Sequence, residues 1–321
     1  TVVELHSSGY TPVIVDNLSN SEISTLNGLE KILQTKPIFY EGNFADTKLI
    51  NKILKTHKIS GVIHFAAFKA VNESIEKPLE YYQNNVAEFI KLLEILSKHN
   101  VNNLVFSSSC TVYGEPDKLP ITESAPFKPA ESPYGASKQM CEIILKDTLK
   151  AKLIKSAISL RYFNPIGAHK SGLIGELPLG IPANLVPFVA QTASGIRDSL
   201  TIYGDDYPTP DGTCIRDYIH VVDLAKAHVK ALDLLLKNHE FYDAINIGTG
   251  QGTSVLEIIN QFIETNKVNV PYKIGPRRMG DIIEIYASTS KANKLLNWHA
   301  KLSVKQALAD VWRWQQNIKN Y

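Results

Sequence analysis

Tyr134 and Lys138 stand four residues apart, downstream of a run of serines, Ser107, Ser108 and Ser109, that follows the apolar stretch Leu104-Val105-Phe106. On a helix, positions i and i+4 share one face, so phenol and ammonium would lie side by side. A phenol titrates near pH ~10 and is a poor base at neutral pH. A neighbouring ammonium favours phenolate and lowers that value. Tyr134 with Lys138 is therefore expected to act as a tuned acid/base, with a serine hydroxyl available to orient it or relay a proton. The same spacing is common on ordinary helices as a half-buried tyrosine and a surface lysine. The serine cluster upstream is what sets this pair apart.

The elements that would hold these groups follow from pattern. Leu104 to Phe106 predict the end of a buried strand, with the serines at its C-terminal edge, where open α/β sheets bind ligands. Pro133 predicts the first turn of a helix that continues through residues 140–149. Thr1 to Leu5 read as helix ended by Ser8-Gly9, and Thr11 to Asp16 as a strand ending in an acid. Such an acid suits the free ribose hydroxyls of a dinucleotide and would repel a 2′-phosphate, which favours NAD over NADP. The plainer alternative is a loop acid capping a turn. Residues 37–42 predict a further strand, and residues 59–67 a passage into a strand ending in small side chains that admit a cofactor. His64, inside that strand pattern, is expected to be a packed core histidine. Tyr81 to Leu96 predict one long amphipathic helix, and Ser156 to Phe163 a buried strand ended by Asn164-Pro165.

After Gly167, glycine, proline and asparagine become frequent, which places a domain change there: residues 1–165, then 166–321. In the second part, Asn184-Leu185 open a helix reaching Ala193, and Ser199 to Tyr203 predict a short strand. Arg216 and Arg278 offer rigid forks for two phosphates. Their alternatives are an Arg216 pair with Asp217 or Asp223, and a solvated charged turn over residues 276–281 around Arg278. Residues 244–254 imitate a dinucleotide fingerprint. The glycine spacing is wrong and no acid-terminated strand follows, so a structural turn is expected, with Thr253 or Ser254 capping a helix from Val255 to Asn266.

The 321 residues are 44% hydrophobic and 21% charged, enough for a sizeable core. A net charge of +2 makes no case for nucleic acid or an anionic membrane. The apolar run from Ile181 to Ala193 is broken by proline and asparagine and falls short of a membrane span. Three cysteines, Cys110, Cys141 and Cys214, with no CxxC, argue against a disulfide framework or a metal site. A reducing, cytoplasmic setting is expected, and no leader is visible at Thr1.

The segments SSSCTVYG (107–114), SPYGASK (132–138), LRYFNPIGAH (160–169) and RDYIHVVDLA (216–225) resemble the extended short-chain dehydrogenase/reductases. Among these, the likeness is to the UDP-glucose 4-epimerase family and runs through essentially all 321 residues. It implies an α/β fold: a Rossmann-type doubly wound parallel sheet over residues 1–165 and a smaller α/β UDP-sugar domain over 166–321. It also implies a strand and a GxxGxxG loop ahead of the opening helix. Relative to that pattern the sequence is expected to be N-terminally incomplete, leaving a gap in mid-sheet.

By resemblance, the cofactor is NAD, the substrates are UDP-glucose and UDP-galactose, and the assembly is a homodimer built on helices such as 81–96. The catalytic residues would be Ser109, Tyr134 and Lys138. NAD would meet Asp16, Asn17, Leu18, Ser19, Asn20 and Ser21, then Asn43 and Phe44. Asn43 stands where the family usually has Asp, and its amide oxygen would still accept from adenine. Further NAD contacts would come from Phe65, Ala66, Ala67, Lys69, Asn84, Ser107 and Phe163, beside Tyr134 and Lys138. The sugar nucleotide would meet Lys69, Ser109, Tyr134, Tyr162, Asn164, Asn184, Leu185, Thr201, Tyr203, Arg216, Arg278 and Asp281. Ile285 falls where the family limits the C2 substituent of the sugar. No metal is implied.

The implied reaction takes hydride from C4 of the hexose, forms a 4-keto sugar and returns the hydride to its other face. A 4,6-dehydratase would need Asp and Glu within the strand-end motif, where this chain has Ser, Cys and Thr. A UDP-glucuronate epimerase or decarboxylase shares most of the motifs and differs in the pocket facing C6. A non-catalytic NAD-binding protein would be expected to lack Tyr134 or Lys138.

Overall fold

The computed structural model describes residues 1–278 and 280–318. Met279 of the basic turn and residues 319–321 lie outside the described residues. Strands β1 (Val13–Asp16), β2 (Ile38–Glu41), β3 (Val62–His64), β4 (Asn103–Ser109) and β5 (Ser156–Tyr162) come from the first half of the chain. They alternate with helices α1 (Val2–Ser7), α2 (Thr25–Leu33), α3 (Thr47–Thr56), α4 (Val71–Glu76), α5 (Pro78–Tyr82), α6 (Glu88–Lys98) and α7 (Pro133–Lys150). The second half adds β6 (Asn164–Ile166), β7 (Leu200–Tyr203), β8 (Ile215–Arg216), β9 (Tyr218–His220) and β10 (Tyr242–Ile247). Short strands β11 (Thr253–Ser254), β12 (Tyr272–Gly275) and β13 (Glu284–Ile285) follow. Its helices are α8 (Leu185–Ala193), α9 (Val221–Lys237), α10 (Val255–Asn266), α11 (Ser290–Leu296) and α12 (Val304–Asn317).

The main sheet is parallel, in the order β10-β5-β4-β3. Side chains alternate across a strand, so β4 feeds two cores. Val105 packs on one side with Ile158, Leu160, Ile245, Ile247 and the α9 residues Leu224, Ala227 and Leu235. Leu104 and Phe106 pack on the other with Phe89, Leu92 and Leu93 of α6 and Cys141 and Leu145 of α7. Helices on both faces leave no wet side, which is why β4 and β5 read as nearly unbroken apolar runs. The pair β1–β2, also parallel, forms a separate two-stranded sheet, and no ladder joins it to β3 among the described residues.

Three sequence expectations need correction. The serines do not follow the strand but end it: β4 runs to Ser109 because Ser107, Ser108 and Ser109 pair with Leu160, Arg161 and Tyr162 of β5. The helix expected over 81–96 is not one regular helix. A π turn at Gln83–Ala87 separates α5 from α6, and π turns often mark functional positions. Asn164-Pro165 do not simply stop β5. They open β6, which pairs with β9.

The second lobe has its own core, in which Val186, Val189, Ile202, Ile258, Phe262, Leu308 and Val311 meet. The single division expected at residues 165 and 166 is crossed again by the chain. Strand β10 completes the first lobe's sheet, and α9, Ala292, Leu296 and Trp298 pack in the first lobe's core. The reason is geometric: β5 has a free edge that only a later segment can cover.

Candidate active site

The serines at the end of β4 and the first turns of α7 converge. Ser132 caps α7 by accepting from the Gly135 N–H, and Pro133 follows at the first position, where its missing N–H costs nothing. That start sets the rotation of the helix, so Tyr134 and Lys138 both face β4. Lys138 is 4% exposed, and its Nζ donates to the Ser107 carbonyl at 2.7 Å. The same Nζ lies 5.0 Å from the Phe106 ring centroid and 5.9 Å from that of Tyr134. Burial holds the Lys138 ammonium down at about 8, with the nearby Cys141 and Glu142 working against it.

The phenol does not behave as the sequence suggested. Burial pushes Tyr134 up to about 12, and hydrogen bonding by Ser109 pulls it down. Loss of water outweighs an ammonium whose charge is turned toward a carbonyl. Ser109 accepts from the Thr111 N–H and so caps the short turn Cys110–Tyr113.

Beneath these groups lies a polar network with no counterpart in the sequence reading. Arg161 donates through Nε and Nη2 to both oxygens of Glu142, at 2.9 and 2.7 Å. Glu142 also accepts from Ser108, and Arg161 Nη1 donates to the Tyr113 hydroxyl, which donates to Asn246. Arg161 and Glu142 are 5% and 3% exposed, so the pair is fully enclosed. It ties β4, β5 and α7 together one helical turn beyond Lys138. Only charge patterning across three separate segments could have found it.

Asn85, inside the π turn, was also missed. Its Oδ1 accepts from the Phe68 and Asn84 nitrogens, and its Nδ2 donates to the Phe68 carbonyl and to Ser137 on α7. Asn84, the expected NAD contact, thus supports its neighbour. The π turn turns Asn85 inward toward the loop after β3. His64 is the core histidine expected: it stacks on Phe89 and Phe106, meets Phe44 edge-on, and is pushed by burial down to about 3. Tyr162 does not stand free toward a substrate. Its hydroxyl meets Nε2 of His228, a fully buried α9 residue whose Nδ1 donates to the Leu224 carbonyl. That bond leaves Nε2 as the acceptor, so the Tyr162 hydroxyl is the donor. Phe163 is buried with Cys110, Val112 and Tyr113, and Ile285 is enclosed in the same cluster at 2% exposure. Ile285 is thus packed, not presented to open space.

At the end of β1, Asp16 Oδ1 accepts from the Leu18 N–H at 2.8 Å and the Ser21 hydroxyl at 2.9 Å. Leu18 takes a left-handed φ of 57°, and Asn17 closes the turn by accepting from the Ser19 N–H. The turn reading and the ribose reading are compatible: only Oδ1 is used, and Oδ2 takes part in none of these bonds. Exposed Phe65, Ala66 and Lys69 lie on the loop after β3, with Ala67 half-buried. A carboxylate oxygen for a diol and an apolar ring resting on His228 fit the donor set a dinucleotide requires. Asn43 is more committed than expected. Its Oδ1 accepts from the Ala45 N–H and its Nδ2 donates to Glu88.

The second lobe brings four of the expected residues together. Arg278 forms a two-pronged pair with Asp281, both bonds at 3.0 Å, and its guanidinium lies 4.9 Å from the Tyr203 ring centroid. Arg216 approaches the same Asp281 at 3.9 Å. Thr201 is on the strand that carries Tyr203. The alternative Arg216 pairs do not form, because both acids are used elsewhere. Asp217 is buried and accepts from the Thr249 N–H and hydroxyl and from the Gly250 and Ala287 N–H groups. The glycine-rich turn thus does hold a carboxylate, but one of the protein's own. A Cβ at Gly248 would come within 2.4 Å of that carboxylate. Asp223 accepts from the Lys301 and Leu302 N–H groups. Ser254 caps α10 in a full capping box with Glu257, as expected. Asn164 contributes its N–H to the Asp217 carbonyl. Asn184 and Leu185 stand at the start of α8, beside Glu176.

Comparison with known proteins gives a consistent result. The family model for GDP-mannose 4,6 dehydratase matches residues 1–311. The UDP-glucose 4-epimerase of Bacillus subtilis is 48% identical over 322 residues, spanning 100% of this chain and 94% of the relative. The crystal structure of a UDP-glucose 4-epimerase from Stenotrophomonas maltophila, with bound NAD and formylated UDP-arabinopyranose, superposes with a TM-score of 0.96. That protein is 43% identical, with 99% of this chain and 94% of the other covered. A UDP-glucose 4-epimerase from Bifidobacterium longum in complex with NAD+ and UDP gives a TM-score of 0.95 at 47% identity, with the same coverage of 99% and 94%.

Proposed function

The chain belongs to the GDP-mannose 4,6 dehydratase family and, within it, to the UDP-glucose 4-epimerases, NAD-dependent isomerases of UDP-glucose and UDP-galactose, and we propose that Ser109, Tyr134 and Lys138 carry its reaction. The observation that supports this assignment is the junction of β4 and α7. There Lys138 is buried and pinned to the Ser107 carbonyl, its Nζ 5.9 Å from the ring centroid of Tyr134, with Ser109 at the end of the same strand. Ser109, Cys110 and Thr111 supply no acid for eliminating water, which separates this site from a dehydratase.

Tyr134 exchanges a proton with the 4-hydroxyl of the hexose, directly or through Ser109. The proton taken at the start is the proton returned, so one group serves both half-reactions. Asp16 and the loop after β3 would hold NAD, which would supply the hydride acceptor for C4 and, in its oxidised form, a positive charge favouring phenolate. Lys138 adds a second positive charge on the same helix face while it remains protonated. Each tenfold gain in phenolate needs ~1.4 kcal/mol of differential stabilisation. Arg216 and Arg278 hold the diphosphate, with Tyr203 and Asp281 beside them, and Asn184 and Leu185 offer the start of α8. Anchoring concentrated on UDP leaves the hexose free to present either face.

The homodimer reading rests on an exposed apolar face across α4 to α7: Ile75, Leu79, Ile90, Met140 and Ile143 are 57%, 81%, 40%, 42% and 52% exposed. Sedimentation of the wild type and of Ile143→Glu checks it, with a shift to monomer expected for the variant. The three cysteines are buried thiols, which supports a cytoplasmic setting. Among the described residues no helix is long and apolar enough to cross a membrane.

The decisive experiment is a coupled assay with UDP-galactose on wild type and Tyr134→Phe. A loss of roughly 10²–10⁴-fold in kcat is expected for the phenylalanine variant. Near-normal turnover would remove Tyr134 from the chemistry.

A further inference from the structure

The segment between β6 and α8 sends one side chain across to the first lobe. Glu176 Oε1 accepts from Lys69 Nζ at 3.0 Å and from Asn184 Nδ2 at 2.8 Å. Asn184 occupies the N-cap position of α8, yet its side chain makes no cap bond and turns its amide to Glu176 instead. The segment is fastened behind Glu176, where Trp314 Nε1 donates to the Glu176 carbonyl at 2.9 Å.

Lys69 is equally well placed. On one side of it, the Phe68 N–H is held by Asn85, which also bonds Ser137 on the helix of Tyr134. On the other side, the Ala70 N–H donates to the Tyr81 hydroxyl. The Glu176–Lys69 pair therefore spans the two lobes from a loop that Asn85 ties to the helix of Tyr134. The two side chains are 33% and 57% exposed, so whatever enters the cleft meets them directly.

We propose that Glu176 is a specificity-determining residue that excludes sugar nucleotides bearing a carboxylate on the hexose, so that the site accepts neutral hexoses. The inference rests on the reading that the hexose lies between Tyr134 and this bridge. As it stands, the ammonium of Lys69 is neutralised and the amide of Asn184 is committed. A hydroxymethyl group can donate to Glu176 or accept from Lys69 without a charge penalty. A hexuronate carboxylate meets the like charge of Glu176, which two donors and the bond from Trp314 to its carbonyl hold toward the cleft. Discrimination of this kind comes from a built-in repulsion, not from an added attraction. Removing the charge would leave the Lys69 ammonium and the Asn184 amide free, and both suit a carboxylate.

The test is Glu176→Gln, which preserves size and an acceptor oxygen, with Glu176→Asp as a control that keeps the charge. Two quantities are measured for UDP-galactose and UDP-glucuronate: kcat/KM, and the dissociation constant by calorimetry on the NAD-loaded protein. Glu176→Gln is expected to raise the glucuronate-to-galactose ratio of both quantities by roughly tenfold or more, and added salt to shrink the gain. Glu176→Asp should stay near the wild-type ratio. An unchanged ratio in Glu176→Gln overturns the proposal, as does an equal loss for both sugars, which would make Glu176 a support of the cleft wall. Absence of turnover with UDP-galactose in the wild type would instead strike the functional reading, and the binding ratio would still decide the role of Glu176.

Discussion

The floor of the cleft and its second-lobe rim both carry arginine–carboxylate pairs, yet they are built in opposite ways. On the floor, Arg161 and Glu142 are buried, doubly bonded to each other and bonded again to Ser108 and Tyr113. On the rim, Arg278 and Asp281 make an equally well-shaped fork, but Arg278 is 44% exposed and its partner is also shared with Arg216. A buried pair without water is strongly damaged by removing one member, since the other is stranded. An exposed pair is worth little in itself and can exchange partners. The floor is therefore suited to hold geometry, and the rim to hand its arginines to an incoming diphosphate. The contrast teaches that similar ion pairs serve position in one place and recognition in another, and that burial decides which.

The largest effect is expected on the floor. Glu142→Gln leaves the Arg161 guanidinium buried without its counter-charge and should cost roughly 3–5 kcal/mol of stability, read from urea denaturation. The double change Glu142→Met with Arg161→Met should cost less than the single one, because no charge is stranded. If Glu142→Gln is as stable as wild type, the floor is no more committed than the rim.

Next comes the pH behaviour of Lys138. Its folded form releases its proton at about 8, whereas an unfolded lysine does so near ~10.4. Between these values the unfolded chain binds more protons, so unfolding free energy rises with pH across that window. Below about 8 the cost of burying the ammonium is present in full. The rise should amount to about 2–3 kcal/mol in denaturation measured at both ends of the window, and Lys138→Met should lack it. Activity should move the other way, falling as pH passes through about 8, because the phenol loses its charged neighbour.

The smallest effect is expected on the rim. Arg278→Ala should raise KM for UDP-galactose by roughly tenfold with kcat little changed and stability within ~1 kcal/mol of wild type. A loss confined to kcat would place Arg278 with the chemistry instead of the anchor.

Much of this was legible in the chain. Ser132-Pro133 fixed the start of α7, and i, i+4 spacing put Tyr134 and Lys138 on one face, because both are short-range consequences of helix geometry. Helix α8 begins at Leu185, where Asn184-Leu185 were expected to open it, and α10 after Ser254, where capping chemistry predicted. The four resembling segments named the family that the relatives then supported. What the sequence by itself determined, then, was local: which residues form elements, and which chemistry-bearing types lie at their ends.

The tertiary structure decided the partners and the charges. Tyr162 and His228 are 66 residues apart, Lys69 and Glu176 107, and Arg161 and Glu142 19, and nothing in the spacing of any pair announces the contact. Each depends on where parallel strands and their crossover helices bring distant segments together. The acidity of Tyr134 was misjudged for the same reason. Adjacency to Lys138 is visible along a helix, but removal of water is a property of the packed protein, and here it is the larger effect.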